Sequence, residues 1–369
     1  MKKVMLLVVD GLAPEYFQKD TAPHLFRLAQ ESGFYKTVLG AMPSVTNVNH
    51  ACILSGKWPE ETGVVGNYYY NPITQEEGFI EERGFMKAKT LLQEYGENHG
   101  TTAFFTVKGK VLGVYGEGAD IGMSAQDPDQ KLIRKYGLDM PPAVDSLDST
   151  RWILEAAYRC IEKDSPDLVY CTTNDYAFHH FAPGTIEAVQ QVRTVDAYMA
   201  EIAKLEPQRQ IYITADHGMN QKTRIVHFQN IAQKAGFSVY CLPPLKDRYI
   251  ENHIYQEGGM LYVFLKQKQQ AEAFYQFAQK EPYVQQILTK EAAAEQYHLP
   301  IDQIGDYVLL TEKNSAFGEC EPDILYTQAS RTHGSLFERE VPLLAIHPER
   351  EKEAYQYSKD IVKYLFKDK

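Results

Sequence analysis

The chain of 369 residues is long enough for one large domain, or for a large domain with a smaller insertion. With 44% hydrophobic and 24% charged residues it has the composition of a globular protein that can fill a core. A net charge of −11 argues against a nucleic acid polymer or an anionic membrane surface as the main partner, but leaves room for a small anionic substrate if bound metal reverses the local field.

Met1-Lys2-Lys3 precedes the apolar run Val4 to Val9, which Asp10-Gly11 interrupts. The run is too short for a membrane span, lacks a cleavage site, and reads as a first buried strand. Pro23 to Ser32 is expected to be helical, with Leu25, Leu28 and Ala29 on one face and Pro23 at the first position. Thr46 to Leu54 forms a second helix, stopped by Gly56. A strand follows over 102–107. Residues 114–148, with stretches containing Gly, Asp and Pro, read as a loop excursion toward a cap. Helix 149–162, the strand core Leu168-Val169-Tyr170-Cys171, helix 185–205 and strand 210–215 continue the alternation.

The character changes over 237–323, where strand Met260 to Leu265, a polar helix from Gln267 to Gln279 and strand Tyr307 to Leu310 suggest an α+β cap insertion. Val341 to Ile346 is a last core strand, and Ala354 to Phe366 a closing helix. The whole predicts an α/β fold with a mainly parallel sheet sandwiched by helices. The core is expected over 1–236 and 324–369. The five cysteines (Cys52, Cys160, Cys171, Cys241, Cys320) include no Cys-x-x-Cys and point to a reduced, cytoplasmic protein. Oligomeric state is left open, a homodimer included.

Ligands of such sheets bind at the carboxyl ends of the strands. Asp10 ends the first run, and Asp216-His217 ends the run before it. Asp175 and His179, four apart, share one face of a helical turn. His333 lies in Thr332-His333-Gly334. Carboxylates and imidazoles gathered at strand ends suit a divalent metal. Thr46 at a helix N-terminus meets exposed N–H groups and the positive dipole end, which favour a phosphoryl oxygen or an alkoxide. Alone it would be no more than an N-cap; beside metal ligands it becomes a nucleophile.

The motifs Asp10-Gly11, Met42-Pro43-Ser44-Val45-Thr46-Asn47, Gly66-Asn67-Tyr68, Asp175-Tyr176 with His179, and Ala182-Pro183-Gly184 occur in that order. Ala215-Asp216-His217-Gly218-Met219 and Thr332-His333-Gly334 complete them. Together they resemble the alkaline phosphatase superfamily in its nucleotide pyrophosphatase/phosphodiesterase-like branch, and within it the phosphonoacetate hydrolases. The resemblance implies an alkaline phosphatase-like core and two zinc ions. One would be held by Asp175, His179 and His333, the other by Asp10, Asp216, His217 and the Thr46 oxygen. The ligand types equally admit Mn²⁺ or Fe²⁺. Asn67 would hold a phosphoryl oxygen.

Lys108 and Lys110 resemble the Lys-x-Lys with which phosphonoacetate hydrolases bind the substrate carboxylate, and two ammonium groups there can stabilise charge as a C–P bond breaks. The implied activity is zinc-dependent hydrolysis of phosphonoacetate, or a close carboxylated phosphonate, to phosphate and acetate through a Thr46 phospho-enzyme. The alternative is a phosphodiesterase or nucleotide pyrophosphatase. The match is poor around Arg248, His253 and Gln256 to Met260. Tyr68-Tyr69-Tyr70 either wall the pocket or pack beneath the insertion.

Overall fold

The computed structural model describes residues 2–365. Strands Val4–Val8, Thr102–Thr106, Leu168–Thr172 and Gln210–Thr214 each bury every residue, as parallel strands covered by helices on both faces do. They are the centre of a seven-stranded sheet ordered Gly33–Leu39, Glu340–Ile346, Gln210–Thr214, Val4–Val8, Leu168–Thr172, Thr102–Thr106, Ile121–Ser124. The two strands at the Gly33–Leu39 end run antiparallel to their neighbours and the rest are parallel. This is the mixed α/β architecture, a mainly parallel sheet with helices, expected from the sequence.

Register decides where the chemistry emerges. Val8 pairs with both Thr172 and Thr214, so three central strands end level. The residues that follow them, Asp10, Asp175 and Asp216-His217, leave the sheet together.

Residues 114–148, expected to be loop, include regular structure. They hold the parallel edge strand Ile121–Ser124 and the helix Gln130–Tyr136. The strand is too short to show a hydrophobic period. The helix is set by Asp129, which accepts N–H from Lys131 at 2.7 Å and Leu132 at 3.4 Å, and by Tyr136 bonded to Asp164 at 2.6 Å. The closing helix is also shorter than expected. A 3₁₀ turn at Lys352–Ala354 and the helix Asp360–Lys363 flank buried Tyr355, and Phe366 lies outside the described residues.

A second, antiparallel sheet is ordered Val239–Leu242, Met260–Leu265, Tyr307–Thr311, Val284–Thr289. Its side chains alternate by face. Leu261, Val263 and Leu309 pack on Phe228 and Phe274. Tyr262, Val308 and Leu310 pack on Val65, Tyr68 and Tyr297. Tyr70 lies against Tyr240 and Phe264, so the tyrosine run packs beneath this sheet. A third sheet, Ser315–Phe317, Asn220–Val226, Ile324–Thr332, delivers the chain to His333. Among the described residues no helix is long and apolar enough to cross a membrane.

Candidate metal and phosphoryl-transfer site

Asp10, Asp175, Asp216, His217 and His333 are all at most 2% exposed, and His179 4%. Asp175 begins the turn Tyr176–His180, and its carbonyl accepts the His179 N–H at 3.0 Å. That turn sets His179 Nε2 3.2 Å from Asp175 Oδ2. Nδ1 of His179, His217 and His333 lies 2.7, 2.9 and 2.8 Å from the carbonyls of Arg331, Gly218 and Ser44. A carbonyl only accepts, so each Nδ1 carries a proton and each Nε2 is the nitrogen left to ligate a metal.

The side chains converge in two groups. Asp175, His179, His253 and His333 each offer a ligand atom within 4.8 Å of the others, and so do Asp10, Asp175 and His217. Asp216 stands beside the second group, with Oδ2 3.4 Å from His217 Nε2. Its Oδ1 accepts N–H from Gly11 at 3.2 Å and His217 at 3.0 Å. Asp175 offers a carboxylate oxygen to both groups. Asp10 Oδ1, Asp216 Oδ2 and His333 Nε2 are buried without a hydrogen bond. Buried polar atoms left this way are costly unless a ligand uses them, and carboxylates with imidazoles suit Zn²⁺, Mn²⁺ or Fe²⁺. The residues fit a divalent metal.

Thr46 is the first residue of the helix Thr46–Ser55, and its Oγ1 lies 3.4 Å from His217 Nε2. The hydroxyl therefore faces the metal-ligand cluster from a helix N-terminus. Asn67 is close by. Its Oδ1 accepts the Asn47 N–H at 3.0 Å, and its Nδ2 donates to the Leu245 carbonyl at 3.1 Å.

Both lysines are buried. Lys108 Nζ lies 2.9 Å from Asp10 Oδ2 and 2.7 Å from Asp175 Oδ1. Lys110 Nζ lies 2.5 Å from Asp247 Oδ2. Burial disfavours the Lys108 ammonium, but Asp10, Asp175 and Asp247 outweigh it and hold its pKa well above the ordinary value. Burial and Asp175 push Asp10 up, while Lys108 and His217 pull it down to about 2. Burial and Asp10 raise Asp216 to about 7. Burial lowers His217, yet Asp216 and Asp10 raise it to about 9. The negative charge that draws a proton onto His217 is the charge a divalent cation would neutralise. Burial keeps His253 and His333 well below their usual range, in the neutral form that ligates.

Sequence reasoning missed the contribution of 243–257. This irregular segment brings His253 into the first group and Asn252 Nδ2 to 3.1 Å from Asp175 Oδ1. It also carries Asp247, and the Tyr249 ring 5.0 Å from Lys110 Nζ. The only signal was His253 itself, in a stretch without periodicity.

Residues 4–336 match the family of type I phosphodiesterases / nucleotide pyrophosphatases. The chain belongs to this family. An uncharacterized pyrophosphatase/phosphodiesterase of Schizosaccharomyces pombe is 22% identical over 244 residues, 62% of this chain and 47% of that one. Ectonucleotide pyrophosphatase/phosphodiesterase family member 3 of Rattus norvegicus is 23% identical over 249 residues, 64% of this chain and 27% of that one. The chain therefore spans less than half the length of these curated family members. Phosphonoacetate hydrolase from Sinorhizobium meliloti, solved with phosphonoformate, superposes with a TM-score of 0.88 at 25% identity, covering 98% of this chain and 94% of that one. The same enzyme solved with phosphonoacetate gives 0.87. Human ectonucleotide pyrophosphatase / phosphodiesterase 5, at 18% identity and a TM-score of 0.71 over 99% of this chain and 94% of that one, shares the fold. Placement in the nucleotide pyrophosphatase/phosphodiesterase branch of the alkaline phosphatase superfamily agrees with the sequence motifs.

Proposed function

We propose that this family member is a metal-dependent hydrolase that cleaves the C–P bond of phosphonoacetate, or a close carboxylated phosphonate, to phosphate and acetate. The observation that carries the reading is Thr46 Oγ1, buried at a helix N-terminus 3.4 Å from His217 Nε2, with Lys108 in the same pocket. Similarity to a phosphonoacetate hydrolase over nearly the whole chain supports the substrate.

One zinc ion is assigned to Asp175, His179 and His333, with His253 beside them. The other is assigned to Asp10, Asp216, His217 and the Thr46 oxygen, with Asp175 within reach of both positions. Two bound cations would supply Lewis acidity, lowering the pKa of the Thr46 hydroxyl and of the attacking water and offsetting phosphoryl charge. Thr46 Oγ gives its proton to a water and attacks phosphorus, forming an O–P bond as the C–P bond breaks. The electron pair moves onto carbon and delocalises into the substrate carboxylate. Lys108 and Lys110 stabilise that charge, and a proton from water completes acetate. Water then attacks the phosphothreonine, releasing phosphate and restoring Thr46. Asn67, which spends one amide N–H on Leu245, keeps the other for a phosphoryl oxygen. In the same proposal residues 237–323 form a cap on a core of 1–236 and 324–369. The protein is cytoplasmic, in keeping with five unbridged cysteines.

A second reading, a phosphodiesterase or nucleotide pyrophosphatase, is favoured by the names of the family and of its curated members. Phosphate release from phosphonoacetate by the zinc-loaded protein is set beside nitrophenol release from bis-p-nitrophenyl phosphate and p-nitrophenyl thymidine monophosphate. Preference for phosphonoacetate is expected; turnover of the diesters alone would select the second reading.

A further inference from the structure

Lys110 is one of the two ammonium groups offered to a substrate carboxylate, yet a carboxylate of the chain already sits on it. Asp247 Oδ2 is 2.5 Å from Lys110 Nζ, and the two side chains are 4% and 3% exposed. Asp247 is held in place by its own segment. Its Oδ1 accepts the Tyr249 N–H at 3.1 Å, and its N–H donates to Gln256 Oε1 at 2.7 Å. The Tyr249 ring covers Lys110 Nζ at 5.0 Å and Lys108 Nζ at 5.8 Å. Lys108 is paired differently, with Asp10 and Asp175, so the Asp247 contact singles out Lys110.

Two carboxylates brought to one buried ammonium repel each other with little screening. A ligand carboxylate directed to Lys110 must therefore either displace Asp247 or sit against it. A ligand with only a phosphonate group has no such conflict. Irregular, partly exposed chain around Asp247 leaves displacement possible, against the contacts that hold it. Residues 243–257 have no regular secondary structure, and Ile250 and Ile254 are 63% and 65% exposed. The segment is pinned near Asp247 by Arg248 paired with Glu81 at 3.0 Å and by Tyr249 Oη donating to Gln126 at 2.8 Å.

We propose that Asp247 is a specificity-determining residue: it competes with the distal carboxylate of a ligand for Lys110 and weakens binding of carboxylated phosphonates selectively. The inference rests on the reading that Lys110 faces a carboxylated phosphonate. It sets the residue at 247 as the point where this chain discriminates between phosphonates with and without a second acid. An uncharged residue there would let the site hold carboxylated ligands more tightly.

The test is calorimetric binding of phosphonoformate and of methylphosphonate to the zinc-loaded wild type and to Asp247→Asn, which keeps the size and one acceptor oxygen. Asp247→Asn is expected to tighten phosphonoformate by about tenfold or more while methylphosphonate stays within about twofold. Asp247→Ala, with folding checked by circular dichroism, is expected to give the same pattern, phosphonoformate tightened and methylphosphonate little changed. Unchanged or weaker phosphonoformate binding in both variants would overturn the proposal and make Asp247 a support for Lys110. Equal tightening of both ligands would also overturn it, since the effect would then be net charge. Binding is read without turnover, so wild-type inactivity toward phosphonoacetate would remove the C–P hydrolase reading and leave this result intact.

Discussion

His333 Nδ1 donates to the main-chain carbonyl of Ser44 at 2.8 Å, two residues before Thr46. One hydrogen bond thus joins an imidazole of the candidate metal site to the turn that presents Thr46. The other side of His333 is held by Gly259, whose N–H donates to the His333 carbonyl at 2.9 Å. A Cβ on Gly259 would lie 2.2 Å from Ser335 Cβ, so only glycine permits this approach. Gly259→Ala is expected to cost about 1–3 kcal/mol of stability and to weaken metal binding. Thermal melting with and without metal, and metal titration, check both effects.

Asp175 contributes to both groups of ligands, whereas Asp10 contributes to one. Asp175→Asn is therefore expected to lower metal affinity at two positions, by about tenfold or more at each. Asp10→Asn is expected to lower it at one. Metal content after gel filtration, by atomic emission, separates the two variants. Equal losses would count against the sharing of Asp175.

Lys108→Ala and Lys110→Ala are expected to raise KM for phosphonoacetate by about tenfold or more, and to affect a phosphodiester lacking a carboxylate much less. Steady-state kinetics on both substrates checks this. Equal effects on both would remove the carboxylate subsite.

Lys222 and Glu338 form a fully buried ion pair at 2.7 Å beneath the His333 loop, and Glu338 also accepts from Ser335 and Asn220. Burial alone would raise the Glu338 pKa, but Lys222 and these hydrogen bonds hold it below its ordinary 4.5. A depressed carboxyl stabilises the fold fully above its unfolded pKa, near 4.5, and that contribution drains as pH falls through the lower folded value. Glu338→Gln is expected to cost about 3 kcal/mol at neutral pH, with the gap to wild type narrowing below pH about 4.5. Urea unfolding across pH gives the measurement.

The parts legible in the sequence were those with local signatures. Asp10 and Asp216-His217 each end a continuous apolar run, Asp175 and His179 have helical spacing, and Thr46 opens a helix that Gly56 closes. Strand Gly33–Leu39 was missed because it buries little and carries Lys36. Strand direction is also not local, so the antiparallel Glu340–Ile346 could not be told from a parallel strand. The contributions of Asp247, Asn252 and His253 come from irregular chain held by contacts far apart in sequence, such as Asn252 with Asp175, for which no periodicity exists. The Lys110–Asp247 pair joins residues 137 apart in sequence and is visible only in three dimensions.

The most direct measurement is phosphate and acetate release from phosphonoacetate by zinc-loaded wild type and Thr46→Ala, with metal content determined on the same samples. The account predicts equimolar phosphate and acetate from the wild type. It predicts a loss of about 10³-fold or more in Thr46→Ala, with metal retained. Phosphate release by Thr46→Ala within about tenfold of the wild type would contradict a threonine nucleophile.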